Sequence, residues 1–198
     1  MTSDVEFAEL VAMLPSRNID RLAAAIGHCL RDVVRVFVRS ETAFGADGAF
    51  DARDEFRFNS GQTMFSFDEV VQTIGVWASQ LSVALMSEAD RELLTGDPDC
   101  RVMRLSESGD ALVHLLGLPC EDVRIWTYED GDDSDRACES AISYCLHGGA
   151  EIFYCTWLHG DMDSDYLLPG HLVWRDRARS CWSVARRAAL PWTEYAHG

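Results

Sequence analysis

Lysine is missing altogether from this chain of 198 residues; all 17 basic residues are arginine. A Schiff-base enzyme and a lysine-bearing phosphate loop are thereby excluded, because each needs an ε-amine. Positive charge as a whole is scarce, with 33 acids and a net charge of −16. No broad basic surface exists for direct nucleic-acid binding. No apolar run approaches the ~20 residues that span a bilayer. The acidic start MTSDVEFAELVAML also differs from the basic opening of a signal peptide. Seven cysteines are an odd number with no Cys-x-x-Cys pair. Neither a disulfide framework nor a zinc site is expected, and the thiols read as small hydrophobes of a reduced, cytoplasmic protein. A Gly-x-Ser-x-Gly elbow, a dinucleotide glycine fingerprint and a His-Glu-x-x-His pair are lacking too. The balance leans away from an enzyme, and no cofactor is implied.

What is present is a globular composition, 47% hydrophobic, long enough for one substantial core. A single domain over 1–198 is expected, with a helical part at 1–40, a hairpin and central helices at 54–96, and an α/β part at 100–190. Charge is distributed unevenly. Residues 51–165 hold 24 acids against 7 arginines, whereas residues 166–198 hold 2 acids against 5 arginines. Such a field suits a basic protein partner, or simply solubility.

The stretch Val123 to Cys181 organises the reading. Val123 to Tyr128 is β-branched and aromatic, as strands are. Ser134 is placed to cap a helix over Asp135 to His147, in which Cys138, Ala141, Ile142 and Cys145 make an apolar stripe. Gly148-Gly149 would stop it, and Ile152 to Leu158 reads as a doubly covered strand. The result is a βαβ unit over 123–158 in an α/β or α+β fold, a mixed sheet with helices on both faces. Parallel neighbouring strands would place Asp130, Asp132, Asp133 and Asp135 on one rim with His159, Asp161, Asp163 and Asp165, at the carboxyl edge where open sheets bind ligands.

Elsewhere, residues 5–14 and 19–30 show helical periodicity, and Val33 to Val38 reads either as a continuation of the second helix, which is preferred, or as a switch to a strand. Glu55 to Phe58 and Gln62 to Phe65 alternate around Asn59-Ser60-Gly61 like a hairpin, with Arg57 facing solvent. Ser66-Phe-Asp-Glu69 has the form of a capping box and opens a helix reaching Met86. Arg101 to Leu105 reads as a strand and Gly109 to Leu116 as a short helix. His171 to Trp174 reads as a last strand and Asp176 to Ala189 as a closing helix.

Two function classes remain. In the first, the rim aspartates with Trp126, Tyr128 and Tyr166 dock on a basic partner by combining steering with aromatic anchors. In the second, His159, Asp161, Asp163 and Asp165 hold a divalent metal in a hydrolase built on loops 129–135 and 159–165, with His147 and His171 close in sequence. Asp161-Met-Asp163-Ser-Asp165 opens like a calcium loop, but Tyr166 stands where the turn glycine belongs and Leu172 where the bidentate glutamate belongs. The first class needs no ligand constellation and is preferred.

The closing HLVWRDRARSCWSVARRAALPWTEY, read as strand, helix and Pro-Trp, is similar to the way some bacterial immunity proteins end. In being small, acidic and motif-poor the chain resembles those proteins in general profile. The resemblance covers about thirty residues. It implies a non-enzymatic inhibitor that occludes a co-encoded toxin in the manner of toxin–antitoxin pairs. An acidic chaperone for a secreted effector has the same profile.

Overall fold

A computed structural model describes residues 11–38, 56–59, 61–77, 82–87, 100–128, 138–156, 165–172 and 178–185. They form two antiparallel sheets packed on a common core. The strands are β1 (Leu30–Val38), β2 (Phe58–Asn59), β3 (Gly61–Phe67), β4 (Val70–Trp77), β5 (Ser82–Leu85), β6 (Cys100–Arg104), β7 (Cys120–Tyr128), β8 (Cys138–Leu146), β9 (Ala150–Thr156), β10 (Asp165–Pro169) and β11 (Ala178–Ser183). One sheet has the order β5-β4-β3-β1-β6 and the other β11-β7-β8-β9-β10-β2. The helices α1 (Ile19–Ala23) and α2 (Leu105–Ser108) are single turns, joined by short 3₁₀ turns.

The expected α/β or α+β fold, with helices covering both faces of a mixed sheet, is therefore overturned. The βαβ unit at 123–158 is instead a meander in which β8 pairs antiparallel with both β7 and β9. Its predicted helix is strand β8. Cys138, Ala141, Ile142 and Cys145 do satisfy a helical period, but Ile142, Tyr144 and Leu146 also alternate, and these three enter the main core. Alternation governed because β8 is buried along both faces, leaving no polar stripe for a helix to turn to water. Gly148 and Gly149 take φ of 76° and 78°, so they close the β8–β9 hairpin and do not stop a helix.

The same competition decided the stretch after Ser66. Its capping box lies in a β-hairpin, with Asp68-Glu69 as the turn between β3 and β4. Asp68 adopts φ of 41°, which aspartate tolerates better than most residues. Its carboxylate accepts from the Cys29 backbone N–H at 2.8 Å and from Arg31 at 2.6 Å. Those contacts hold the Asp68 carboxyl below the usual carboxylate range, the Cys29 bond contributing most.

The helical N-terminal part also fails beyond Ala23, because Leu30–Val38 is a strand flanked by β3 and β6. The expected hairpin at 55–65 is split, since β2 pairs with β10 and β3 with β1, in different sheets. Arg57 is not a free solvent-facing residue. It grips Asp110 with two bonds of 2.6 and 3.0 Å, while Asp110 caps the following 3₁₀ turn by accepting from Leu112 N–H. Residues 178–183, expected within the closing helix, form β11 against β7, and His171 and Leu172, expected to open a strand reaching Trp174, lie in a 3₁₀ turn. The strand at 101–105 and the short helical turn at 109–116 are present. The helix placed over 5–14 lies outside the described residues, except for its helical end at 11–13.

Between the sheets, Phe65 lies 4.6 Å from the Tyr144 ring and 6.5 Å from that of Tyr154, all three fully buried. This aromatic contact joins β3 to β8 and β9. A Phe65→Ala substitution should cost about 3–5 kcal/mol, measured as the shift in a urea unfolding curve with unchanged slope.

Candidate functional site

The two sheets share an end. There β1 finishes at Val38 and β3 begins at Gly61, β4 finishes at Trp77 and β5 begins at Ser82. In the other sheet β7 finishes at Tyr128 and β9 at Thr156, while β8 begins at Cys138 and β10 at Asp165. The ends coincide because Arg35 of β1 bonds directly to Asp165 of β10. The end of β4 and start of β5, the end of β7 and start of β8, and the end of β9 and start of β10 therefore all lie here.

Polar side chains are concentrated there. Arg35 and Asp165 are 1% and 0% exposed. The Arg35 Nη2 donates to Asp165 Oδ1, and the Tyr154 hydroxyl donates to Asp165 Oδ2 at 2.7 Å. Burial raises the Asp165 carboxyl to about 6, against the opposing pull of Arg35 and the Tyr154 bond. Tyr154 is pushed well above its ordinary value by burial and by the neighbouring carboxylate. Thr63 is the cross-strand partner of Arg35, and Thr156 that of Asp165. Glu139, near the start of β8, accepts from Ser16 N–H at 2.9 Å, and burial pushes its carboxyl upward.

Five buried polar atoms among the described residues have no hydrogen-bond partner: Ser16 Oγ, Arg35 Nη1, Thr63 Oγ1, Glu139 Oε1 and Thr156 Oγ1. All belong to this end. An unpartnered buried group costs about 1–3 kcal/mol. Five of them rival the roughly 5–15 kcal/mol that hold a whole domain folded. At the opposite end the core is apolar, built by Leu22, Leu30, Leu115, Leu146 and Ile152.

The expected rim residues separate into groups. Asp130, Asp132, Asp133, Asp135, His159, Asp161 and Asp163 lie outside the described residues. Asp165 does not belong to a rim: it is fully buried and both its oxygens are engaged. Trp126 is 8% exposed and packs on Phe153 at 5.3 Å, while its Nε1 donates to Ser143 Oγ. It is a core residue of the sheet's outer face and not an exposed anchor. Ser143 passes that bond on to Glu151 at 2.8 Å. Tyr166 is half-buried against the same cluster. Tyr128 ends β7 beside Cys138 and Ala178.

The juxtaposition of the two acidic segments was expected from a crossover helix, with parallel neighbours β7 and β9. That crossover is absent. Yet β7 and β9 both run antiparallel to β8 and therefore parallel to each other. Trp126 and Cys155 flank the same residue, Ala141, so the strand ends are nearly level and about 10 Å apart at the usual ladder spacing. The points where 129–137 and 157–164 begin thus share one edge by a different topology.

A metal reading gains nothing from the described residues, among which no group of three metal-binding side chains occurs. His147 sits in the β8–β9 hairpin at the opposite end, against Glu121 at 2.8 Å. His171 lies beyond the far end of β10. Two thiols are poorly placed to be nucleophiles: burial pushes Cys120 up to about 12 and Cys145 to about 11. Sequence reasoning missed Arg35, Thr63, Tyr154 and Thr156, whose common feature is a polar residue on the inward face of an apolar strand.

Two outcomes are expected from the buried cluster. Arg35→Met alone should destabilise by about 3–5 kcal/mol, because it strands the buried Asp165 carboxylate. The triple change Arg35→Met, Tyr154→Phe, Asp165→Leu should recover most of that loss in denaturant melts. Because Asp165 titrates higher folded than unfolded, its contribution is fully present below the unfolded value near 3.8 and is lost as pH rises through about 6. The stability advantage of wild type over Asp165→Asn should therefore shrink by roughly 3 kcal/mol between pH 4 and pH 7.

No family model, curated protein or solved structure matches this chain.

Proposed function

We propose that this is a non-enzymatic acidic binding protein that docks on a basic protein partner. The contact is made by the aspartates of 129–137 and 157–164, principally Asp130, Asp132, Asp133, Asp161 and Asp163. One observation carries this reading: β7 and β9 run parallel and finish level, so the two acidic segments start from a common edge. The concentration of negative charge in residues 51–165 of a chain at −16 supports it, since a single-signed field speeds encounter with an oppositely charged surface. Its specific form is an immunity protein that occludes a co-encoded bacterial toxin, with chaperoning of a secreted effector as the related alternative. The strand-helix ending that resembled immunity proteins does not lend it weight, because 178–183 is a strand. No helix among the described residues is long and apolar enough to cross a membrane.

Reversing Asp132, Asp133, Asp161 and Asp163 to arginine should weaken binding of a basic partner captured from cell lysate by about 100-fold or more, with the melting temperature unchanged. Wild-type binding should also fall steeply with added salt. Unaltered affinity in the variant would refute the acidic edge. For the hydrolase alternative, millimolar Mn²⁺ or Mg²⁺ would raise the melting temperature by several degrees, an effect that His159→Ala with Asp161→Asn would erase. The binding reading expects no such rise.

A further inference from the structure

The five unpartnered groups at the polar end share a chemical requirement that docking on a partner does not address. We infer that the strand ends enclose an internal site for small uncharged molecules that both donate and accept hydrogen bonds. Glu139, Thr156 and Asp165 sit on the successive strands β8, β9 and β10, a row about 10 Å across at ordinary strand spacing. Arg35 and Thr63 sit on β1 and β3 of the facing sheet, tied to that row through the Arg35–Asp165 bond.

The groups left over decide the class of guest. Arg35 Nη1 can only donate and an ionised Glu139 Oε1 can only accept, whereas the Thr63 and Thr156 hydroxyls do either. A guest must therefore offer both functions. An anion gains little, since Asp165 already neutralises Arg35 and Glu139 adds a further carboxylate. Among the described residues a metal cation finds one uncommitted carboxylate oxygen here, Glu139 Oε1, because both oxygens of Asp165 are engaged. An apolar guest would leave every one of these groups unsatisfied. What fits is water, held by several polar partners as internal waters are, or a hydroxylated or amide solute presenting the same donors and acceptors.

The test uses the intact chain. In the wild type, NMR cross-peaks between long-lived water and the Thr63 and Thr156 methyl groups would identify ordered solvent. A bound mass retained in native mass spectrometry and released on unfolding would identify a solute. Either result supports the site, and the absence of both overturns it. The double variant Thr63→Val, Thr156→Val supplies a second readout. With a guest bound, the methyl groups break its hydrogen bonds and the variant melts several degrees below wild type. If the hydroxyls face nothing, removing them relieves two unpartnered groups, and a variant melting above wild type overturns the inference.

Discussion

A guanidinium and a carboxylate buried between two sheets constrain everything else in this protein. Arg35 and Asp165 are 130 residues apart in sequence and meet where neither reaches water. Removing two charges from solvent is costly, and their attraction offsets that cost only with close geometry and further hydrogen bonds. The Tyr154 hydroxyl supplies one such bond. The pair therefore acts as a register pin. Sliding one sheet over the other would leave two buried charges unpaired, whereas the apolar contacts around Phe65, Tyr144 and Tyr154 would tolerate small shifts far better.

From that pin follows a division of the interior into two ends. One is closed by leucines and isoleucines together with α1, which is tied to β4 by Gln72, whose side chain donates to Arg21 and Leu22 carbonyls and accepts from Tyr144. The other carries hydroxyls, carboxylates and a guanidinium among the strand ends. Buried polar groups are tolerated in native proteins when something satisfies them. The concentration of unsatisfied ones at the end where acidic segments emerge makes that end the chemically distinctive part of the molecule.

A meander brings every second connection to one edge, so the connections that follow β7 and β9 start from a shared edge without any crossover helix. Antiparallel pairing achieves with β8 what a parallel sheet would have achieved with a helix, and the strand ends stand only two ladder spacings apart.

The amino-acid sequence by itself determined the absence of lysine chemistry, the strongly negative middle of the chain, the lack of catalytic motifs, and several strands, including Val123–Tyr128 and Arg101–Arg104. It did not determine whether segments such as 138–146 or 70–77 would be helix or strand. Cys138, Ala141, Ile142 and Cys145 satisfy one period, while Ile142, Tyr144 and Leu146 satisfy the other, and local propensity separates them by too little free energy. Only tertiary structure broke the tie, because a strand flanked by partners on both sides and covered on both faces satisfies its backbone and buries both sets of side chains. The same reason hid the Arg35 cluster. Arg35 in Leu30–Val38 acquires its meaning from an aspartate on another sheet, and no local pattern encodes that meeting.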